Sequence, residues 1–227
     1  MNTYRSLTII GTSHIAIESV KEVRDVISKE KPDIVALELD RARFKALIEG
    51  GNEKKGPRLS DIKVIGLNGY VFSLIGAYAE RKLGEIVGVK PGDEMKEAAQ
   101  TGKDVGARIA LIDQRIEITL RRFSKEITLK EKLRFVYEII KNIIKRPKLE
   151  FDLKKVPEKD LISKLLKDVK EKYPNVYSVL VDERNKFMAK HLYTLMQKYK
   201  VVAVVGAGHE DEIIEEIKCL EKKRLNI

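Results

Sequence analysis

The sequence holds a single cysteine, Cys219, among 227 residues. That excludes an intramolecular disulfide and any cysteine-rich metal centre, and its place in an amphipathic helix marks a buried or half-buried thiol. Histidine is scarce too, so imidazole chemistry is confined to His14, His191 and His209. Aromatic residues make up 6% of the chain and no known nucleic-acid module is present, so nucleic acid is not an expected partner. No apolar run reaches the roughly 20 residues of a spanning helix; the longest is Tyr70 to Ala79. With no leader-like segment before the first apolar run, the expected location is cytoplasmic, or the soluble domain of a membrane-associated protein.

What the chain has in excess is positive charge, +10 overall. Between Arg121 and Lys155 twelve basic residues stand against five acidic ones, so most of the excess lies there. Abundant Lys and Glu with Ile and Val is a thermophile-like composition, which explains the charge content but not its clustering. From Leu129, apolar residues recur at Leu133, Val136, Ile140 and Ile143, with Lys130, Arg134, Lys141 and Lys145 off that stripe. The basic helix 129–146 is expected to pack its stripe on its own domain, with membrane-surface association as the alternative.

Hydrophobic periodicity gives four strands: residues 5–11, Ile34 to Leu37, Ala107 to Ile112, and Val201 to Val205. Unbroken apolar runs of this kind suit a parallel sheet covered on both faces. Helices are expected over 15–29, 40–48, 59–86, after Asp93 as its cap, over 129–146 with Thr128 and Glu131 as a capping box, over 158–172 and over 175–198. The loop Gly50 to Pro57 is the likeliest flexible segment on its paired glycines and lysines. The fold class that follows is α/β: a mostly parallel sheet of about four core strands flanked by helices. One domain spans 1–227, with a mainly helical insertion at about 116–198.

Each strand ends in an ionisable group: His14, Glu38, Asp113 with Arg115, and His209. In an open parallel sheet these ends share one edge, where ligands bind. Two imidazoles with carboxylates are ligand types for manganese, cobalt or zinc, and such an ion lowers the pKa of bound water toward neutrality. His14, His209 and Asp113 are therefore candidate metal ligands. Glu38, Glu94, Arg115, Glu183 and Arg184 are candidate catalytic residues, with either arginine placed to stabilise an oxyanion. A salt bridge from Glu183 or Arg184 to Asp113 or Arg115 is the plain structural alternative. His191 reads as a surface or packed residue and Glu97 as part of a solvated face. Val204-Val205-Gly206-Ala207-Gly208 looks like a dinucleotide-binding start, but Asp211 stands where the third glycine belongs and three acidic residues would repel a pyrophosphate.

Six short motifs occur in order: Gly11-Thr12-Ser13-His14, Ala36 to Asp40, Val89 to Met95, Ala110 to Arg115, Asp182 to Asn185 with Met188-Ala189, and Gly206 to His209. Together they resemble the TraB/PrgY/GumN family over nearly the whole chain, with Tiki proteases and, more distantly, erythromycin esterase and ChaN among its relatives. The resemblance implies an erythromycin-esterase/ChaN-like α/β core with paired Gly-x-x-His motifs and acidic residues in one cleft. By the same resemblance the activity is metal-dependent peptide cleavage with manganese or cobalt favoured, His14 and His209 as ligands, and Glu38 as a ligand or general base. PrgY-like members instead limit peptide pheromone activity, so a non-catalytic, sequestering protein is the alternative. Gln114 separates Asp113 from Arg115, departing from the more usual Asp-Arg pair. Expected partners are a peptide or small-molecule substrate and a second copy in a homodimer.

Overall fold

The computed structural model describes residues 1–12, 17–49, 58–87, 92–135, 137 and 159–225. His14, the Gly50 to Pro57 loop and most of the basic segment lie outside the described residues. The strands are β1 (Asn2–Tyr4), β2 (Leu7–Thr12), β3 (Ile34–Leu37), β4 (Arg108–Leu111) and β5 (Val201–Gly206). They form one sheet in the order β1-β2-β5-β3-β4. The last four are parallel and β1 is an antiparallel edge. The expected first strand, 5–11, is thus shifted to 7–12: Arg5 turns the chain at φ 54° and the residues before it pair back as a hairpin arm. Periodicity gave no sign of β1 because three residues are too few to alternate.

The helices are α1 (Ile17–Glu30), α2 (Arg41–Ile48), α3 (Ile62–Val87), α4 (Asp93–Asp104), α5 (Ile116–Glu126), α6 (Lys159–Lys172), α7 (Pro174–Tyr177), α8 (Glu183–Met196) and α9 (Glu210–Leu225). On one face of the sheet, α8 and α9 bring Met188, Leu192, Ile213 and Ile217 against Ile9, Ala203 and Val205. On the other, α1 and α4 bring Val23, Ile27, Met95 and Ala98 against Val35, Leu37 and Val204. A sheet covered on both sides explains why β5 is apolar at every position: all six of its residues are buried. Asp93 opens α4 rather than capping it; Gly92, at φ 97°, is the cap.

The expected helix over 175–198 is broken into α7, a π-helical stretch at Ser178–Asp182, and α8. Long helix α3 bends at Gly66, whose φ is 75°. Farther along, Gly69 is where α3 meets α5, since a Cβ there would lie 2.6 Å from the Leu120 carbonyl oxygen. Gly69→Ala is expected to lower unfolding free energy by about 1–3 kcal/mol through overpacking, read from urea denaturation.

The capping box forms as expected: the Glu131 carboxylate accepts from Thr128 N at 3.0 Å. It also turns inward to accept from Asn175 N at 2.8 Å. That orientation leaves Leu129 and Leu133 exposed, against the expectation that this stripe packs on its own domain; Val136, Ile140 and Ile143 lie outside the described residues. Cys219 is exposed, not buried or half-buried, because its helix is apolar toward Ile213 and Ile217. Among the described residues no helix is long and apolar enough to cross a membrane.

Candidate functional site

Parallel pairing fixes where the strands release the chain. Thr12 of β2 stands beside Gly206 of β5, and Leu37 of β3 stands between Val204 and Leu111. Residues immediately after β5, β3 and β4 therefore emerge at one carboxyl edge. The turn after β5 is close-packed, since a Cβ on Gly11 would lie 2.6 Å from Glu210 Oε2 in the first turn of α9.

At this edge Glu38, Asp113 and His209 converge on the guanidinium of Arg184, which comes from α8. Arg184 Nη2 donates to Glu38 Oε1 and, at 2.7 Å, to Asp113 Oδ2. Its Nε donates to Asp113 Oδ1 at 3.2 Å. Nη1 faces the Leu180 carbonyl oxygen and His209 Nε2, each at 3.3 Å. All five N–H groups of the guanidinium are thereby engaged. Leu180 belongs to the π-helical stretch, and such wide turns leave carbonyls for other donors. Burial pushes the Arg184 guanidinium down, but the Glu38 and Asp113 charges outweigh it and hold it above its ordinary range. Glu38 Oε2 accepts from Gly206 N at 2.6 Å, so the carboxylate of one strand end clamps the backbone of the next.

A second arginine extends the array. Arg43 Nη2 reaches Asp113 Oδ2 at 2.6 Å and its Nε reaches Asp40 Oδ2 at 2.7 Å. Asp40 caps α2 through Ala42 N and Arg43 N and also accepts from Ile116 N at 3.3 Å, joining two loops. Burial acts to raise the Asp40 carboxyl, but its hydrogen bonds with Arg43 and Ala42 carry it below its ordinary value. A lowered folded-state value means that Asp40 stabilises the fold above its ordinary pKa of about 3.9. That contribution disappears as pH falls through the lowered value. Asp40→Asn keeps the cap but loses the charge that faces Arg43; it is expected to cost about 1.5–3 kcal/mol near neutrality and to flatten the acid limb of stability against pH, measured by denaturation from about pH 7 to 2.

Of the residues singled out from sequence, the structure brings Glu38, Asp113, Arg184 and His209 together. Arg115 does not join them: two residues beyond Asp113 the chain has begun α5, and the Arg115 side chain is 73% exposed beside Glu117. Glu183 also points away, to Arg122 at 2.6 Å. Glu94 is buried in the first turn of α4; because α4 runs back to start β4, that turn lies toward the carboxyl edge but on the opposite face of the sheet from α8. His191 is exposed, against Phe187, and Glu97 pairs with Arg24 at the surface. Sequence reasoning assigned no role to Asp40, Arg43, Asn185, Tyr177 or Glu212. For Asn185 a signal existed, since it stands one turn before Met188 and Ala189 on the apolar face of α8.

Asp113 does not fit a metal ligand here. Its oxygens already accept from Gln114 N, Arg43 Nη2, Arg184 Nε and Arg184 Nη2, which fill the roughly four lone-pair positions of a carboxylate. The other described candidates, Glu38 and His209, face a guanidinium where a cation's charge would sit. Among the described residues no group of three or more His, Cys, Asp or Glu is arranged to hold a metal ion. Beside the edge, a pocket of about 200 Å³ runs between α6 and the β5–α9 turn, lined by Lys167, Lys170, Tyr177, Gly208, Asp211 and Glu212 among others.

Comparison with known proteins covers almost all of this architecture. The sequence model of the TraB/PrgY/gumN family matches residues 2–223. Uncharacterized protein MJ1365 of Methanocaldococcus jannaschii is 41% identical over 220 residues, which are 94% of this chain and 53% of that protein. TraB domain-containing proteins of Bos taurus and Homo sapiens are each 22% identical over 226 residues, covering 88% of this chain and 59% and 60% of theirs. The chain thus spans between half and about three fifths of the curated relatives it matches.

Proposed function

This chain belongs to the TraB/PrgY/gumN family, and from that premise we propose that it is a hydrolase of amide or ester bonds, with peptides the first substrate class to test. The observation that carries the reading is the convergence of Glu38, Asp113 and His209 on one buried guanidinium at the sheet's carboxyl edge. His209 Nε2 takes a proton from a water that attacks the carbonyl carbon, with Glu38 Oε1, 3.5 Å away, supporting the imidazolium that forms, and returns that proton to the leaving amine or alkoxide as the C–N or C–O bond breaks. Arg184 supplies a fixed positive field for the tetrahedral oxyanion. Its two Nη1 contacts, at 3.3 Å, are the weakest in the array, so a substrate oxygen entering beside His209 takes over one of them. The adjoining pocket accommodates a flanking substrate residue.

A second reading has its own observation in favour: both carboxylates are already neutralised by arginine, which suits a preformed cleft that sequesters a peptide without cleaving it. A panel of peptide amides and carboxylic esters, assayed with and without a chelator, separates the readings. Turnover that survives the chelator and is lost in His209→Ala supports the hydrolase as written. Stoichiometric binding without turnover overturns it in favour of sequestration. Turnover that stops with the chelator and returns with manganese, cobalt or zinc replaces it with a metal-dependent hydrolase, for which His14 is the further donor required.

A further inference from the structure

We propose that Asn185 and Glu212 are positioning residues that fix the imidazole of His209 in one tautomer, with the proton on Nδ1 and the lone pair on Nε2. The chain of contacts runs Tyr177, Glu212, Asn185, His209. The Tyr177 hydroxyl donates to Glu212 Oε1, Asn185 Nδ2 donates to Glu212 Oε2 at 2.7 Å, and Asn185 Oδ1 lies 2.6 Å from His209 Nδ1. Proton inventory makes this chain unidirectional. A carboxylate only accepts, so the Asn185 amide must turn its NH₂ group to Glu212 and its oxygen to the histidine. An amide oxygen cannot donate, so His209 Nδ1 must carry the hydrogen.

Turning the amide over would set its oxygen against the Glu212 oxygen with no proton between them. In a residue 1% exposed water could not relieve that clash, and a buried pair of acceptors costs the full desolvation of both. Burial, reinforced by Glu212, pushes the Tyr177 phenol well above its ordinary range, which keeps the head of the chain a donor. On the other side of the ring Nε2 faces Arg184 Nη1 at 3.3 Å and Glu38 Oε1 at 3.5 Å, one a donor and the other an acceptor, so that side accommodates either tautomer. The choice between tautomers is therefore made on the Nδ1 side, by the amide that Glu212 orients.

The tautomer is independent of the hydrolytic reading; only its effect on turnover rests on that reading. The test is ¹⁵N NMR of the histidine rings in the full chain at about pH 8, where an imidazole of ordinary basicity is neutral, with His209 assigned by difference from His209→Gln. The wild type is expected to give a protonated Nδ1 and a bare Nε2. Glu212→Gln is the decisive variant because it keeps the shape of the side chain but can present either an NH₂ or an oxygen. Asn185 is then free to turn, and a substantial Nε2–H population should appear. Tyr177→Phe leaves the Glu212 carboxylate as acceptor, so the wild-type tautomer should persist. Nε2–H in the wild type, or unaltered Nδ1–H in Glu212→Gln, overturns the proposal. If turnover is found, Glu212→Gln should lower kcat by about 10–100-fold with KM little changed, as for other groups that orient a reacting imidazole. Predicted tautomers in a protein with no turnover would sink the hydrolase and leave this inference standing.

Discussion

Arg184→Met is expected to remove about 3–5 kcal/mol of unfolding free energy, the scale of a buried ion pair broken from one side. The substitution roughly preserves side-chain volume, so packing loss contributes little. What changes is charge: Glu38 and Asp113 are 5% and 1% exposed at the side chain, and both lose their shared cation. Arg43 still reaches Asp113, so the heavier penalty falls on Glu38. Arg184→Lys should fall between the two, because an ammonium restores the charge but cannot donate to Asp113 from two nitrogens at once. Adding Glu38→Gln to Arg184→Met should recover part of the loss, with a coupling of about 0.5–3 kcal/mol. Urea titrations of wild type, Arg184→Met, Arg184→Lys, Glu38→Gln and the double variant at neutral pH measure this directly. Equal stability of Arg184→Met and wild type would mean that the array is a surface ornament and not a structural centre.

The same array separates what the sequence could tell from what it could not. Four apolar runs identified the parallel strands, and in such a sheet strand ends must share an edge. Glu38, Asp113 and His209 were therefore legible as neighbours although 75 and 96 residues separate them in turn. Choosing between adjacent charges was another matter. Glu183 and Arg184 are both candidates by residue type, and only the arginine faces the edge. Arg184 stands one turn before Met188 and two before Leu192, on the face that α8 buries, whereas Glu183 shares its stripe with the exposed Phe187 and His191. Arg115 leaves the edge for another reason: a strand end fixes the direction of the next residue, but two residues later the loop into α5 decides. Leu129 and Leu133 looked like a packing stripe because periodicity cannot show that Glu131, on the other side, holds Asn175. The importance of Asn185 and Glu212 is relational: only their distances to each other and to His209 give them a role.

His209→Ala is expected to lower kcat/KM for any hydrolysed substrate by about 10²–10⁴, the usual contribution of a positioned general base. The stability cost should be small, about 0.5–1.5 kcal/mol, since the ring is only one hydrogen-bonding member of the array. Glu38→Gln should produce a comparable kinetic loss for a different reason. The amide cannot stabilise an imidazolium, and its NH₂ group would oppose either the Arg184 donor or the Gly206 N–H. Because both side chains act on the same proton transfer, the double variant should be little worse than the worse single one, as in other groups that work as a unit. Independent roles would instead multiply the two losses. Steady-state kinetics on the four proteins, with folding checked by circular dichroism, distinguishes the cases. Full activity in His209→Ala would remove the imidazole from the chemistry, and the edge would then be an ion-paired scaffold around a binding cleft.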